Sequence, residues 1–324
     1  MQFRRITWGV LASAALGLAL TATTATAGAA PAPSSATATI VPASASGHSS
    51  GAAGQIQDNH PPAPATKAKA ARPAVHPASN PAATYRQFIG YSTPFNVPAG
   101  ANWWAEVYCP AGMLATGGGE SNTNLGGFTL HGTYALADGS GWHVDVTNGS
   151  ASTAGLQVYT VCFSGLSVYK QVTQPAIRYY QNESRASVSC PVGDAVGSGG
   201  WAGSYDQFVT FQETTDGAAW VSFGHTAAGG AQPTAQAICA GTINNTQRAG
   251  YGSGPVAPGH DGSVRATCPS GTFVVSGGGG VMDGVTTLRV TDTYPTYPGQ
   301  DWYVYVHNDS TLADQPEVWE VCGN

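Results

Sequence analysis

The thiols of Cys109, Cys162, Cys190, Cys239, Cys268 and Cys322 carry the chain's clearest chemistry, and their spacing decides between metal binding and disulfide formation. No two stand at the short C-x2-C spacing that zinc favours, so no metal site is expected. Instead they mark a pattern written three times. Each copy opens Cys-Pro-x-Gly at Cys109, Cys190 or Cys268 and meets a Gly-Gly pair nine and ten residues later (Gly118-Gly119, Gly199-Gly200, Gly277-Gly278). Each then reaches Trp142, Trp220 or Trp302 and closes on the second Cys. Of the many pairings six Cys allow, the repeat selects pairing within each copy: Cys109–Cys162, Cys190–Cys239 and Cys268–Cys322. A bridge closing a loop of roughly 50 residues stabilises by about 4 kcal/mol in the chain-entropy model.

Other patterns suggest catalysis, and each lacks its setting. Gly47-His48-Ser49-Ser50-Gly51 fits G-x-S-x-G, which exposes its Ser only between a strand and a helix; here it sits in an Ala/Pro/Ser stretch. Thr116-Gly117-Gly118-Gly119 is followed by no Gly-Lys-Ser/Thr, so it is not a phosphate loop. His143 and Asp145 share one face of a strand and could be half of a metal or acid/base site. Counted from the Trp, the other copies have Val221/Phe223 and Tyr303/Tyr305 there, so the expectation is a polar pair on a solvated face. Glu120, Asp145, Glu213, Asp283, Asp292 and Asp301 are carboxylates, but glycoside hydrolysis needs two of them facing across a cleft, and nothing in the sequence places them so. No catalytic residue, cofactor or metal is assigned, and the chain reads as a non-enzyme. A secreted hydrolase ranks third among the functions considered.

Aromatic side chains make the best ligand argument. Trp103, Trp104, Tyr179, Tyr180, Tyr294 and Tyr297 lie outside the core strand positions. Exposed rings stack on sugars or anchor a protein partner; packing between lobes is the plainer role. In a strand, Trp103 and Trp104 point to opposite faces, so at most one is core.

Strands must hold these residues. Only 9% of residues are charged and 43 are Gly, a composition suited to short strands and turns. About five strands per copy follow from alternation, among them Ala105–Cys109, Phe128–His131 and the run from Trp142 to Val146. No stretch holds a helical period. The expected fold is all-β: three homologous disulfide-stapled β repeats, at about 100–165, 178–242 and 258–324, in a pseudo-threefold, β-prism-like or three-lobed body spanning 84–324. Asn148-Gly149-Ser150 and Asn308-Asp309-Ser310 resemble glycosylation sequons but carry little weight, because the leader looks bacterial.

That leader is residues 1–27: Arg4-Arg5, an apolar run from Trp8 to Leu20, and Ala25-Thr26-Ala27 before Gly28. It reads as an export signal, and paired cysteines agree with secretion. No other apolar run is long enough to span a membrane. Residues 28–83 are mostly Ala, Pro, Ser and Thr and read as a disordered tail. Within it Thr37, Thr39, Ile40 and Val41 form a β-favouring run closed by Pro42, fit to add as a strand to a partner. Residues 84–324 hold seven basic against 17 acidic side chains, a net −10, which argues against nucleic acid.

The Cys-Pro-x-Gly opening, Gly-Gly turn, Trp strand and closing Cys resemble repeats of secreted actinobacterial proteins over residues 105–322. An exported, Ala/Pro-tailed, disulfide-stapled β-protein also resembles the adaptor subunit of umbrella-shaped antibacterial toxin particles. That resemblance implies lectin and large toxin subunits as partners and a tail that docks on the lectin. The expected function is therefore a secreted adaptor. The alternative is a secreted lectin carrying similar glycan sites on similar lobes, although the exposed polar and aromatic residues do not repeat.

Overall fold

Among the described residues, several strands pack closely at residues with no side chain. In a computed structural model of the chain, the described residues are 68–69, 87–180, 183–215, 217–225, 231–241, 243, 245–252, 254–281, 288–296 and 298–324. The signal, the Thr37–Val41 run and Ser49 lie outside them. So do Asp283 and Tyr297, and the side chains of Tyr179 and Tyr180. All described elements are strands, in line with the expected all-β class.

Each repeat supplies two three-stranded halves. In repeat one the front half is Asn102–Tyr108, Gly141–Asn148 and Phe128–Ala135, and the back half is Leu114–Asn122, Ala154–Phe163 and Gln87–Tyr91. Six strands per repeat exceed the expected five, because edge strands such as Gln87–Tyr91 show little alternation. The halves are then shared in a cycle. Sheet I joins front half one to back half two (Asp194–Trp201, Thr234–Gly241, Val168–Pro175). Sheet II joins front half two (Glu183–Ser189, Ala218–His225, Gln207–Thr215) to back half three (Phe273–Gly280, Glu317–Gly323, Asn245–Tyr251). Sheet III joins front half three (Asp261–Thr267, Asp301–Asn308, Leu288–Pro295) to back half one. Every sheet has seven strands: six antiparallel ones and a short addition.

Front and back halves of one repeat enclose its core, so each repeat ties two sheets together. The disulfides do the same covalently. Cys109–Cys162 links sheet I to sheet III, Cys190–Cys239 links II to I, and Cys268–Cys322 links III to II. The pairing is the one the repeat implied.

The Gly-rich back strands lie where halves meet. A Cβ on Gly117 would stand 2.8 Å from Ser276 Cα in the third repeat, and one on Gly197 would collide with the Thr116 carbonyl. Thr116 Oγ1 donates to Val275 O at 2.7 Å, closing the same contact with a hydrogen bond. On the other side, a Cβ on Gly118 would lie 2.6 Å from Cδ1 of buried Trp142, and Gly277 meets Trp302 in the same way.

Repeat two departs from this arrangement, and the equivalence of its Gly-Gly pair is corrected. Its bulge falls between Ala195 and Gly197, six residues after Cys190, against seven in the other copies. Ser198, not Gly199, therefore occupies the register position of Gly118 and Gly277. Opposite, Ala219 pairs Val188 as Trp142 pairs Val107 and Trp302 pairs Ala266. Trp220 sits one residue further on, faces outward and is 39% exposed. Trp on Gly becomes Ala on Ser: where the indole is lost, a side chain is tolerated below. Counting from Cys190 missed the first shift, because the loop after it is one residue shorter, and matching Trp with Trp missed the second.

The sequon-like triplets are turn anchors. Buried Asn148 donates from Nδ2 to Val97 O and Ser152 O, both at 2.9 Å, and its Oδ1 accepts from the Ser150 hydroxyl. Asn308 does the same with Val256, Leu312 and Ser310.

The Gly–Trp contact yields a paired expectation. Gly118→Ala should lower unfolding free energy by about 2–3 kcal/mol, because the Cβ enters a rigid indole. Ser198→Ala should cost less than about 1 kcal/mol. Urea unfolding of both variants checks the contrast.

Candidate functional site

Strand register places three clusters on the outward faces of the front halves. On sheet I, Glu106, His143 and Tyr134 lie on one rung, and Trp104, Asp145, Gly132 and Trp201 on the next. Alternation sends all of them to the face opposite Trp142. His143 is flanked by two rings: Trp104 stacks at 5.4 Å and Tyr134 at 4.7 Å between centroids. Trp201 continues the patch, 4.9 Å from Tyr134. It leans over Gly132, where a Cβ would come within 3.3 Å of its own Cβ.

The imidazole is held from both ends. Nδ1 lies 3.3 Å from Glu106 Oε1, and Nε2 lies 3.0 Å from Asp145 Oδ2. The second contact is close but poorly angled, so it acts more as charge attraction than as a directed hydrogen bond. The Tyr108 hydroxyl donates to the other Glu106 oxygen. Burial opposes a charge on His143, yet Asp145 and Glu106 outweigh it and push its pKa up to about 9. The expectation of a solvated pair is corrected: His143 is 9% and Asp145 4% exposed, roofed by the aromatic rings. Their register counterparts are Trp220/Ser222 and Tyr303/Tyr305, not Val221/Phe223. With both nitrogens engaged, a cationic His143 offers no lone pair to a metal or a substrate proton.

Sheet III carries different chemistry at the same positions. Arg265, Tyr303 and Tyr294 form one rung, and Ser263, Tyr305 and Asp292 the next. Tyr294 stacks on Tyr159 at 5.2 Å, on Tyr303 at 5.9 Å and on Tyr305 at 6.4 Å. Arg265 lies over Tyr303, 5.8 Å from its centroid. The Tyr159 hydroxyl donates to Gln157 Oε1 at 2.8 Å. On sheet II the counterparts are exposed Trp220 and Glu213, whose pKa is raised by burial and by the charge of Glu317.

Near the tyrosines, two buried carboxyls lie at the junction of repeats three and one. Glu120 pairs with Thr293, the neighbour of Asp292. Asp292 Oδ1 accepts from Asn122 N and Nδ2, both at 2.6 Å. Burial, reinforced by Asp292, raises the Glu120 pKa well above the usual range. Burial also raises that of Asp292, against the Asn122 bond. By register Glu120, opposite Val158 and Thr293, faces the core, whereas Asp292, opposite Tyr305, lies on the tyrosine side; both are buried. Cys268, Glu320 and Cys322 also converge, but both sulfurs belong to a disulfide.

Of the aromatics singled out from sequence, Trp104 joins the site on sheet I. Trp103 packs inward against Phe95, 6.2 Å between ring centroids. The two do point to opposite faces. Tyr179 and Tyr180 lie in strand Ile177–Tyr180, an addition to the edge of sheet II. Tyr134, Trp201, Tyr159, Tyr303 and Tyr305 were not singled out, though period-2 alternation outward from Trp142 and Trp302 could have found some of them. No family model matches the chain, and no curated protein matches it.

Two pH dependences follow. A raised histidine pKa stabilises the fold fully below the ordinary value of 6.5, and that contribution is lost as pH rises towards about 9. Thermal melts should show His143→Gln less stable than the parent at pH 6, with the gap closing above pH 9. A raised carboxyl pKa stabilises only at acid pH, below the ordinary 4.5, because above it folding must take up a proton. Glu120→Gln should therefore raise Tm at neutral pH and lose that advantage near the ordinary carboxyl pKa.

Proposed function

We propose that the protein is a secreted, non-catalytic adaptor that joins partners of different chemistry through three unlike faces. One observation carries the reading. Positions equivalent by strand register hold His143, Trp220 and Tyr303, and beside them Asp145, Ser222 and Tyr305, on a shared scaffold. A trivalent binder would repeat its site on each sheet; these faces repeat only their geometry. Their aromatic content suits protein anchoring, since Trp and Tyr dominate interface energetics. Three disulfides suit an oxidising, extracellular setting, and among the described residues no helix is long and apolar enough to cross a membrane. By resemblance the partners are a lectin and a large toxin subunit, with the 28–83 tail docking on the lectin.

The tyrosine ladder of sheet III favours a second reading, a lectin. Its stacked rings and the hydroxyl of Tyr159 suit a neutral glycan.

Affinity purification of the tagged mature chain from the native culture supernatant separates the two. Trp104→Ala/Trp201→Ala and Tyr303→Ser/Tyr305→Ser should each lose a different co-purifying protein, and removal of 28–83 a further one. If the protein comes out alone in every form, the adaptor reading fails. A glycan array on which the parent binds and the tyrosine variant does not then supports the lectin.

A further inference from the structure

One rung of strand register can be compared across all three outward faces. On sheet I it holds Glu106, His143 and Tyr134: a carboxylate, a cation and a ring. His143 is paired with Glu106 and stacked on Tyr134, 4.7 Å between centroids. On sheet III it holds Arg265, Tyr303 and Tyr294: a cation and two rings. Arg265 lies over Tyr303 and donates from Nη1 to its hydroxyl at 3.3 Å. On sheet II the same rung holds Ser187, Trp220 and Glu213: a ring and a carboxylate, with serine where sheet III has arginine. Two rungs contain their own cation, and the third lacks one.

The two functional groups left on sheet II are both unengaged. Trp220, 39% exposed, makes no hydrogen bond, ring contact or cation contact among the described residues. Glu213 is only 7% exposed, yet among the described residues its carboxylate accepts no hydrogen bond and pairs with no cation. It stands directly opposite Trp220, which sets the two Cβ atoms about 5 Å apart. A second carboxylate, Glu317, lies across Gly280 from Phe211, two residues before Glu213. Burial and the Glu317 charge raise the Glu213 pKa, as expected of a carboxylate without a counter-ion. Arg185, on the neighbouring rung of the same face, is already held by Glu183 at 2.6 Å. An exposed indole thus adjoins an uncompensated carboxylate.

We propose that the outward face of sheet II binds an arginine side chain presented by a protein partner, its guanidinium stacked on Trp220 and paired with Glu213, in the place that Arg265 occupies on sheet III. Arginine fits better than lysine. Its planar group stacks on an indole while its N–H groups, lying in that plane, reach a carboxylate. A partner's cation would also relieve the repulsion between Glu213 and Glu317, which nothing in the free chain offsets among the described residues. The proposal rests on the adaptor reading, in which unlike faces take unlike partners, and it names the chemistry that sheet II takes. Its test uses a synthetic peptide and no native partner, so its failure and the failure of that reading are separate results.

The mature chain, residues 28–324, is titrated into acetyl-Gly-Arg-Gly-amide, and binding is followed through the peptide's own NMR signals. The same peptide with citrulline in place of arginine is the neutral control. The arginine peptide should bind roughly tenfold tighter than the citrulline one, and Trp220→Ala and Glu213→Gln should each weaken it about tenfold. Ser187→Arg, which supplies the missing cation from the chain itself, should weaken it as much. Leu312→Arg makes the same charge change at an exposed site elsewhere and should leave binding unchanged. Trp220→Ala should keep the parent's Tm, and Glu213→Gln should keep or raise it at neutral pH, so loss of binding is not loss of fold. Equal affinity for the arginine and citrulline peptides overturns the proposal. Unchanged affinity in Trp220→Ala or in Ser187→Arg also overturns it, in favour of attraction by the bulk negative charge. Tighter binding of the lysine peptide, or of Ca2+ with loss in Glu213→Gln, overturns it in favour of a simple cation site.

Discussion

Backbone meeting backbone around the glycine-rich strands is the constraint on which the rest of this structure depends. Gly117 against Ser276, and Gly197 against the Thr116 carbonyl, leave no room for a Cβ. Because these strands approach so closely, each sheet can be completed by the neighbouring repeat. Because each sheet is completed that way, no repeat can bury its apolar face alone. The cost is the conformational entropy of many glycines. Burial of residues such as Trp142, Trp302, Phe128 and Leu156, and three disulfides that each span two sheets, offset it.

Interior and exterior obey different rules in consequence. Inward positions are bound to one another in pairs, as repeat two shows: Ala219 in place of a Trp goes with Ser198 in place of a Gly. Outward positions carry no such coupling across repeats. Sheet I holds a cationic imidazole between two carboxylates and two rings. Sheet III stacks tyrosines beside the buried carboxyl of Asp292. Sheet II exposes a tryptophan near raised-pKa glutamates. One scaffold thus bears three surfaces of different chemistry.

Polar groups buried at repeat junctions cost stability, and their placement says where the fold tolerates that cost. Glu120 stands where the other repeats have Gly200 and Gly279. A carboxyl entering a position otherwise held by glycine marks the one junction that differs in chemistry, next to the tyrosine face. Of the groups set by this asymmetry, His143 is stabilised by charge and Glu120 by protonation, so acidification favours both.

Much was legible in the sequence. Three Cys–Cys intervals of nearly equal length dictated the disulfides, since only one pairing respects the repeat. Alternation from Trp142 and Trp302 dictated strands with the indole inside, because side chains two apart share a face. Trp103-Trp104 likewise had to split between core and surface. What the tertiary structure alone decided is which chain segments share a sheet, and hence which residues meet. Glu120 and Asp292 are 172 residues apart in sequence and adjoin only because front half three pairs with back half one. His143 lies buried rather than solvated because Trp104 and Tyr134 reach it from neighbouring strands. Periodicity is a local property, set by backbone geometry over a few residues. Sheet sharing and the one-residue slip in repeat two are set by long-range packing, where a count along the chain carries no information on which strand lies alongside.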